Sequence, residues 1–106
     1  MLRVTAIALQ LIRDVAPLAG RISRRDAALG KQLRDALSSA VLNLEEASGQ
    51  HGGRRSQHYA IALGSAREAA VALQVAAAWG YLEEVPRSVD EGFRIVIASL
   101  LKLERG

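Results

Sequence analysis

The stretch Asn43-Leu-Glu-Glu-Ala-Ser-Gly-Gln-His-Gly-Gly-Arg-Arg-Ser56 interrupts a chain that is otherwise rich in alanine and leucine. A phosphate-binding loop of the GxxxxGK[ST] type needs a strand before it and a lysine at its end. Here a helical segment precedes the glycines and arginines follow them, so that interpretation fails. The stretch is predicted to be a turn between two helices. Two interpretations stay open: an anion bound at the start of the third helix, beside Arg54 and Arg55, or a solvated turn.

Apolar residues recur every three or four positions in four segments on either side of this turn, and none alternates as a strand does. The predicted helices cover about residues 2–22, 25–48, 55–79 and 87–104. Pro17 should bend the first helix or free a carbonyl near Arg13. The three connections are short, which makes neighbouring helices antiparallel. The sequence therefore predicts an all-α, up-down-up-down four-helix bundle that forms one domain over residues 1–106.

The ends of these helices carry recognisable signals. Ser23-Arg-Arg-Asp26 resembles a capping box that opens the second helix. Gly49 should close that helix, because glycine accepts the left-handed conformation found at helix ends. Gly80 should end the third helix, and Pro86 suits the first turn of the fourth.

Composition limits the kinds of function that are plausible. Half of the 106 residues are apolar, nineteen are alanine and four are aromatic, so each helix contact buries little area. This composition hints at oligomerisation. The absence of cysteine excludes disulfides and thiolate metal sites. No apolar run reaches the roughly 18 residues of a membrane span, so we expect a soluble, cytoplasmic protein with no membrane partner.

Two groups of polar residues could carry chemistry. His51 and His58 have no third ligand and no Glu-x-x-His partner, so we expect no metal, no cofactor and no catalytic triad. Asn43 and Glu46 are one turn apart, as are Ser65 and Glu68, and the helical hairpin brings the two pairs together. Paired carboxylates can act as acid and base. A structural polar layer that sets the helix register is the favoured interpretation.

Basic residues gather at the two ends of the predicted bundle. One cluster surrounds the first turn, where Glu83 and Glu84 would partly neutralise it. The candidates for nucleic-acid binding are Arg21, Arg24, Arg25, Lys31 and Arg34 at this end, and Arg54 and Arg55 at the other. In a monomer these residues form a solvated face, whereas a ring of subunits would repeat them as a belt.

The third helix has apolar residues around more of its circumference than one partner helix requires. The candidates for an oligomer interface are Ile61, Ala72, Val75 and Trp79.

Three sequence blocks together resemble a known family. They are Leu37-Ser-Ser-Ala-Val-Leu-Asn-Leu-Glu-Glu-Ala-Ser-Gly49, Leu63-Gly-Ser-Ala-Arg-Glu68 and Trp79-Gly-Tyr-Leu82. The chain resembles the bacterial four-helix bundle proteins typified by the ribosomal-RNA intervening-sequence proteins, to which the accessory protein of diversity-generating retroelements is related. Val41, Ala47 and Thr5 depart from the usual proline, glycine and aromatic residue of that family, and the loop Gln50–Gly53 is longer.

The resemblance implies a homo-oligomer, with a pentamer known among relatives, and no catalytic activity. It also implies that RNA, DNA or a protein such as a reverse transcriptase could be a partner. We therefore expect a non-catalytic adaptor that binds nucleic acid through assembled arginines. The alternative is a scaffold that binds only protein. An enzyme that uses Glu46 and Glu68 would need a cleft that desolvates one of the two carboxylates.

Overall fold

The computed structural model describes residues 2–106, which form four α-helices and no strand. They are α1 (Arg3–Arg25), α2 (Ala27–Ser48), α3 (Gly52–Ala78) and α4 (Arg87–Arg105). The main contacts join α1 to α2, α2 to α3, α3 to α4 and α4 to α1. This cyclic order is that of an up-down-up-down bundle, and the predicted all-α four-helix fold is confirmed. The radius of gyration of 13.6 Å is close to the roughly 13 Å of a compact chain of this length.

Helix α1 continues through Pro17 without interruption. Proline lacks an N–H group, so the carbonyl of Arg13 loses its usual donor four residues later. Pro17 is exposed, and water can therefore reach the freed carbonyl. The helix ends only at Arg25, three residues beyond the predicted end.

The turn between α1 and α2 is a single residue, Asp26. Its carboxylate accepts a hydrogen bond from the backbone N–H of Leu29 at 3.0 Å and so caps α2. The predicted capping box was wrong, because Ser23 still belongs to α1. The Ser23 hydroxyl accepts a hydrogen bond from Arg34 instead, at 2.6 Å. So short a turn presses the two helices together at Gly30, where an added Cβ would lie 3.0 Å from the Ser23 Cα.

Glycine closes one of the two predicted helix ends in the expected conformation. Gly80 has φ of 81°, and the N–H groups of Gly80 and Tyr81 donate to the carbonyls of Ala77 and Ala76 at 3.0 and 2.9 Å. This is the Schellman arrangement. Gly49 closes α2 at the predicted position, but without the left-handed conformation, since its φ is −96°. A tight turn closes α2, with the Gly49 N–H bonded to the Glu46 carbonyl at 3.2 Å, and the positive φ falls at Gly52.

Leucines and valines fill much of the core on α1 and α4, whereas small residues fill the contact between α2 and α3. Alanine fills most buried positions of α3, which lets α2 approach closely. Within residues 2–106, α3 alone is long and apolar enough to cross a membrane by length and composition. Only 39% of its most apolar window is buried in the bundle. The core helix of a soluble protein can have the same length and composition, and in α3 much of the apolar surface lies on the outer side.

Candidate interaction surfaces and the polar layer

A chain of hydrogen bonds joins α2 to α3 in the half-buried layer between them. The Asn43 Nδ2 donates to the Ser39 carbonyl oxygen at 2.9 Å and lies 3.2 Å from the Ser39 Oγ. A carbonyl can only accept, so this bond fixes which way the Asn43 amide points. The Oδ1 atom therefore faces the Nδ1 of His58, at 3.0 Å. His58 must carry a proton on Nδ1 to donate this bond, which leaves Nε2 as the acceptor when the ring is neutral.

The same layer continues through two serines and excludes both carboxylates. The hydroxyls of Ser39 and Ser65 are 2.8 Å apart. Glu46 and Glu68 are exposed. Glu46 accepts a hydrogen bond from Gln50, and Glu68 accepts one from Gln32 at 3.4 Å. Of the four residues predicted for the layer, Asn43 and Ser65 lie in it, and Glu46 and Glu68 lie outside it. Helix rotation turns both carboxylates into solvent, so neither is desolvated as an acid–base pair would require.

Two members of the polar core could have been found only with the tertiary structure in hand. His58 belongs to the layer because the register of the hairpin sets it opposite Asn43. Thr5 is buried and donates from its hydroxyl to the Glu45 carboxylate at 3.0 Å, across 40 residues of sequence. No local spacing signals either contact.

All seven basic residues predicted to bind nucleic acid are exposed. At the first turn, Arg34 is bonded to Ser23, Lys31 pairs with Asp35 at 2.6 Å, and Arg25 lies over the ring of Tyr81 at 5.5 Å. Arg21 and Arg24 have no such partner in the described part of the chain. The cluster is therefore a set of side chains anchored to different degrees around one turn.

Acidic residues balance the cluster at this end of the bundle. Segments 21–35 and 83–91 together carry six basic and six acidic side chains. Tyr81 also ties the third connection to the first turn, because its hydroxyl donates to Asp26 at 3.3 Å. Desolvation, followed by the negative charge of Asp26 and its hydrogen bond, raises the pKa of Tyr81, and the nearby Arg25 opposes this shift.

The opposite end carries Arg54 and Arg55 in the first turn of α3. Arg55 lies over the ring of Tyr59 at 5.6 Å. Arg55 and Glu104 both line a cavity of about 350 Å³ at this end. An anion at the start of α3 would share this space with the Glu104 carboxylate. The Tyr59 hydroxyl is buried without a hydrogen-bond partner, which is a local cost of the packing here.

The outer side of α3 exposes an apolar stripe, which we call the α3 stripe. Its large side chains are exposed by between 36% for Val75 and 69% for Trp79. The α3 stripe consists of Ile61, Gly64, Glu68, Val71, Val75 and Trp79. Three of the four predicted interface residues lie on it. Ala72 does not, because it is only 5% exposed and packs inside the bundle.

Sequence periodicity missed two exposed apolar residues. Val71 and Leu42 are 59% and 70% exposed. Both fall outside the repeat of buried positions on their helices, and this offset was the available signal.

Within residues 2–106 no group of three or more histidine, aspartate or glutamate side chains is placed to hold a metal ion. Comparison with protein-family models, with curated protein sequences and with solved structures finds no match for this chain.

Proposed function

We propose that this chain is a non-catalytic, cytoplasmic adaptor that assembles with copies of itself and binds nucleic acid through arginines that the assembly repeats. The resemblance to the intervening-sequence proteins suggests five copies. The observation that carries the proposal is the α3 stripe, with a large tryptophan more than two-thirds exposed. Exposed apolar surface that is continuous along a helix marks an interaction site in soluble proteins.

The nucleic-acid part of the proposal is supported by the exposure of the arginines at both ends of the bundle. One copy offers little positive potential, because its net charge is +3. Each additional copy repeats the same guanidinium groups, and phosphate contacts contribute to affinity roughly in proportion to their number. Arginine forks suit phosphate oxygens. An assembled protein should therefore bind RNA or DNA through the backbone, with little base specificity.

A titration of fluorescent RNA and DNA against the protein, followed by anisotropy at several salt concentrations, tests this proposal. We expect binding at low salt that weakens steeply as salt rises. In a plot of log affinity against log salt concentration, each unit of slope corresponds to an affinity about 10-fold lower for a tenfold increase in salt. Arg21→Ala with Arg25→Ala removes charge at one end, and Arg54→Ala with Arg55→Ala removes it at the other. The pair of substitutions at the binding end should lower the salt slope. Arg94→Gln, on α4 and already paired with Glu91, should change little.

Absence of binding to both nucleic acids at low salt would contradict the nucleic-acid part. Unchanged binding by both arginine variants would contradict only the assignment of residues.

A second function, a scaffold that binds only protein, is favoured by the balance of charge at the first turn. Six acidic side chains beside six basic ones leave that end nearly neutral. A nearly neutral end attracts nucleic acid only at the points where arginines are clustered. In this case a partner protein captured by the tagged chain should stay bound after nuclease treatment. Loss of the captured partner on nuclease treatment would favour the nucleic-acid adaptor.

A further inference from the structure

The α3 stripe has an unusual composition for an exposed helix face. Its six residues follow one another at spacings of three or four along α3, so they form one line on the helix surface. Glu68 is the only charged member. It lies in the middle of the line and has no basic partner within residues 2–106; its one hydrogen bond is to Gln32. A surface that could cover the stripe around Glu68 should be apolar and should offer one positive charge opposite that carboxylate.

A groove on another side of the bundle has these properties. It runs between α1 and α2, has a volume of about 300 Å³, and is lined mostly by small or apolar residues. We call it the α1–α2 groove and define it by Val15, Ala16, Ala19, Gly20, Arg34 and Leu37. Arg34 is the only charged residue that lines it, and it forms no ion pair in the described part of the chain. Gly20 leaves open space, because a Cβ added there would meet no atom within 4 Å.

The stripe and the groove also match in height along the bundle. The hydrogen bond from Gln32 to Glu68 sets these two residues at the same level. Arg34 lies two residues further along α2, a rise of about 3 Å. Positions two residues apart on a helix point to nearly opposite sides, so Arg34 faces α1 while Gln32 faces α3. Two copies that stand side by side with parallel axes would therefore bring Glu68 of one beside Arg34 of the next.

We infer that the half of the α3 stripe from Ile61 to Glu68 packs into the α1–α2 groove of the next copy, with Glu68 paired to Arg34 at the first-turn end of the groove. The two surfaces differ, so each copy presents one stripe and one groove. Contacts of this kind repeat from copy to copy and close into a ring when the rotation allows. This inference rests on the proposed self-assembly and identifies its contact. It also places Arg34 in the interface, which leaves the other arginines free for nucleic acid.

Two variants that each lack one surface provide the test. Gly20→Leu fills the groove while keeping the stripe, and the open space at Gly20 means that the fold should tolerate it. Ile61→Asp removes the exposed apolar side chain of the stripe that faces the groove, while keeping the groove. Each variant alone should have the mass of one chain in sedimentation velocity, under conditions in which the wild type assembles. An equal mixture of the two should form a pair and grow no further, because only one stripe and one groove remain usable.

Controls separate this contact from general effects of substitution. Ala98→Leu adds the same side chain as Gly20→Leu on the exposed side of α4, away from both surfaces, and should assemble like the wild type. Glu68→Arg and Arg34→Glu should each weaken assembly at least tenfold, and combining them in one chain should restore it. Circular dichroism should show the same helix content for all variants.

Assembly of Gly20→Leu like the wild type would overturn the inference, because a contact between two stripes would not need the groove. A mixture that stays monomeric while the wild type assembles would also overturn it. Either result leaves the proposed self-assembly intact. A wild type that is itself monomeric would refute the contact and the self-assembly together.

Discussion

Asn43 holds the interface between α2 and α3 in one register through bonds that cannot be exchanged. Its amide nitrogen bonds the Ser39 carbonyl and its oxygen faces His58, so a flipped amide would set its own oxygen against the Ser39 carbonyl, acceptor against acceptor. A half-buried polar group left without a partner costs about 1–3 kcal/mol. The layer therefore favours one alignment of two alanine-rich surfaces that could otherwise slide past each other.

A double-mutant cycle on Asn43 and His58 measures this link. Asn43→Ala and His58→Ala should each lower the free energy of unfolding, and the double variant should lose less than the sum of the two, by about 1 kcal/mol. Urea denaturation gives all three values. A matched cycle on Asn43 and Ser48, a serine that bonds only within α2, should show no coupling. Additive losses for Asn43 and His58 would mean that the hydrogen bond does not contribute.

Gly30 and Gly64 are both helical glycines with opposite surroundings. At Gly30 a Cβ would lie 2.0 Å from the Ser23 hydroxyl oxygen and 3.0 Å from its Cα, whereas at Gly64 it would meet nothing within 4 Å. Gly30→Ala should lower the free energy of unfolding by about 1–3 kcal/mol through overpacking. Gly64→Ala should raise it by about 0.5–1 kcal/mol, because alanine loses less entropy in a helix. Both are measured by urea denaturation at one protein concentration. Equal effects would contradict the close approach of α1 and α2.

At the scale of the elements, helix positions were predictable and helix ends were less so. The repeat of apolar residues reports which face is buried, and it located all four helices. The ends depend on hydrogen bonds that several sequences can satisfy. Asp26 and Ser23 could each cap α2, and only the one-residue turn decides for Asp26. The layer between α2 and α3 was half predictable for the same reason, because the rotation of each helix decides whether a polar side chain points inward.

The third connection is held to the first turn by Tyr81, and this contact depends on pH. The pKa of Tyr81 lies above its usual value of 10.0, so the protonated phenol is favoured in the folded state. Its contribution to stability is complete below about pH 10 and is lost as the pH rises through the folded pKa. The difference in absorbance at 295 nm between the wild type and Tyr81→Phe should titrate with a midpoint above 10. A midpoint at or below 10 would contradict the environment described for this phenol.

At the scale of the whole molecule, the sequence predicted that α3 exposes an apolar surface, but it did not predict which charged residues lie at the same height on different sides of the bundle. The width of the apolar surface on α3 indicated an exposed stripe, and Ile61, Val75 and Trp79 lie on it. The match between Glu68 and Arg34 was beyond sequence analysis, because it depends on how far α1 and α3 are shifted along α2. That shift follows from the one-residue turn at Asp26 and from the bonds between α2 and α3.

The state of assembly in solution bears on every functional statement about this chain. The proposed self-association would cover the α3 stripe and repeat the arginines, and neither would happen in a single copy. Light scattering coupled to gel filtration of the wild type at micromolar concentration measures it directly. We predict one species with several times the mass of one chain, five times if the resemblance extends to stoichiometry. A folded, helical species with the mass of one chain would contradict the account.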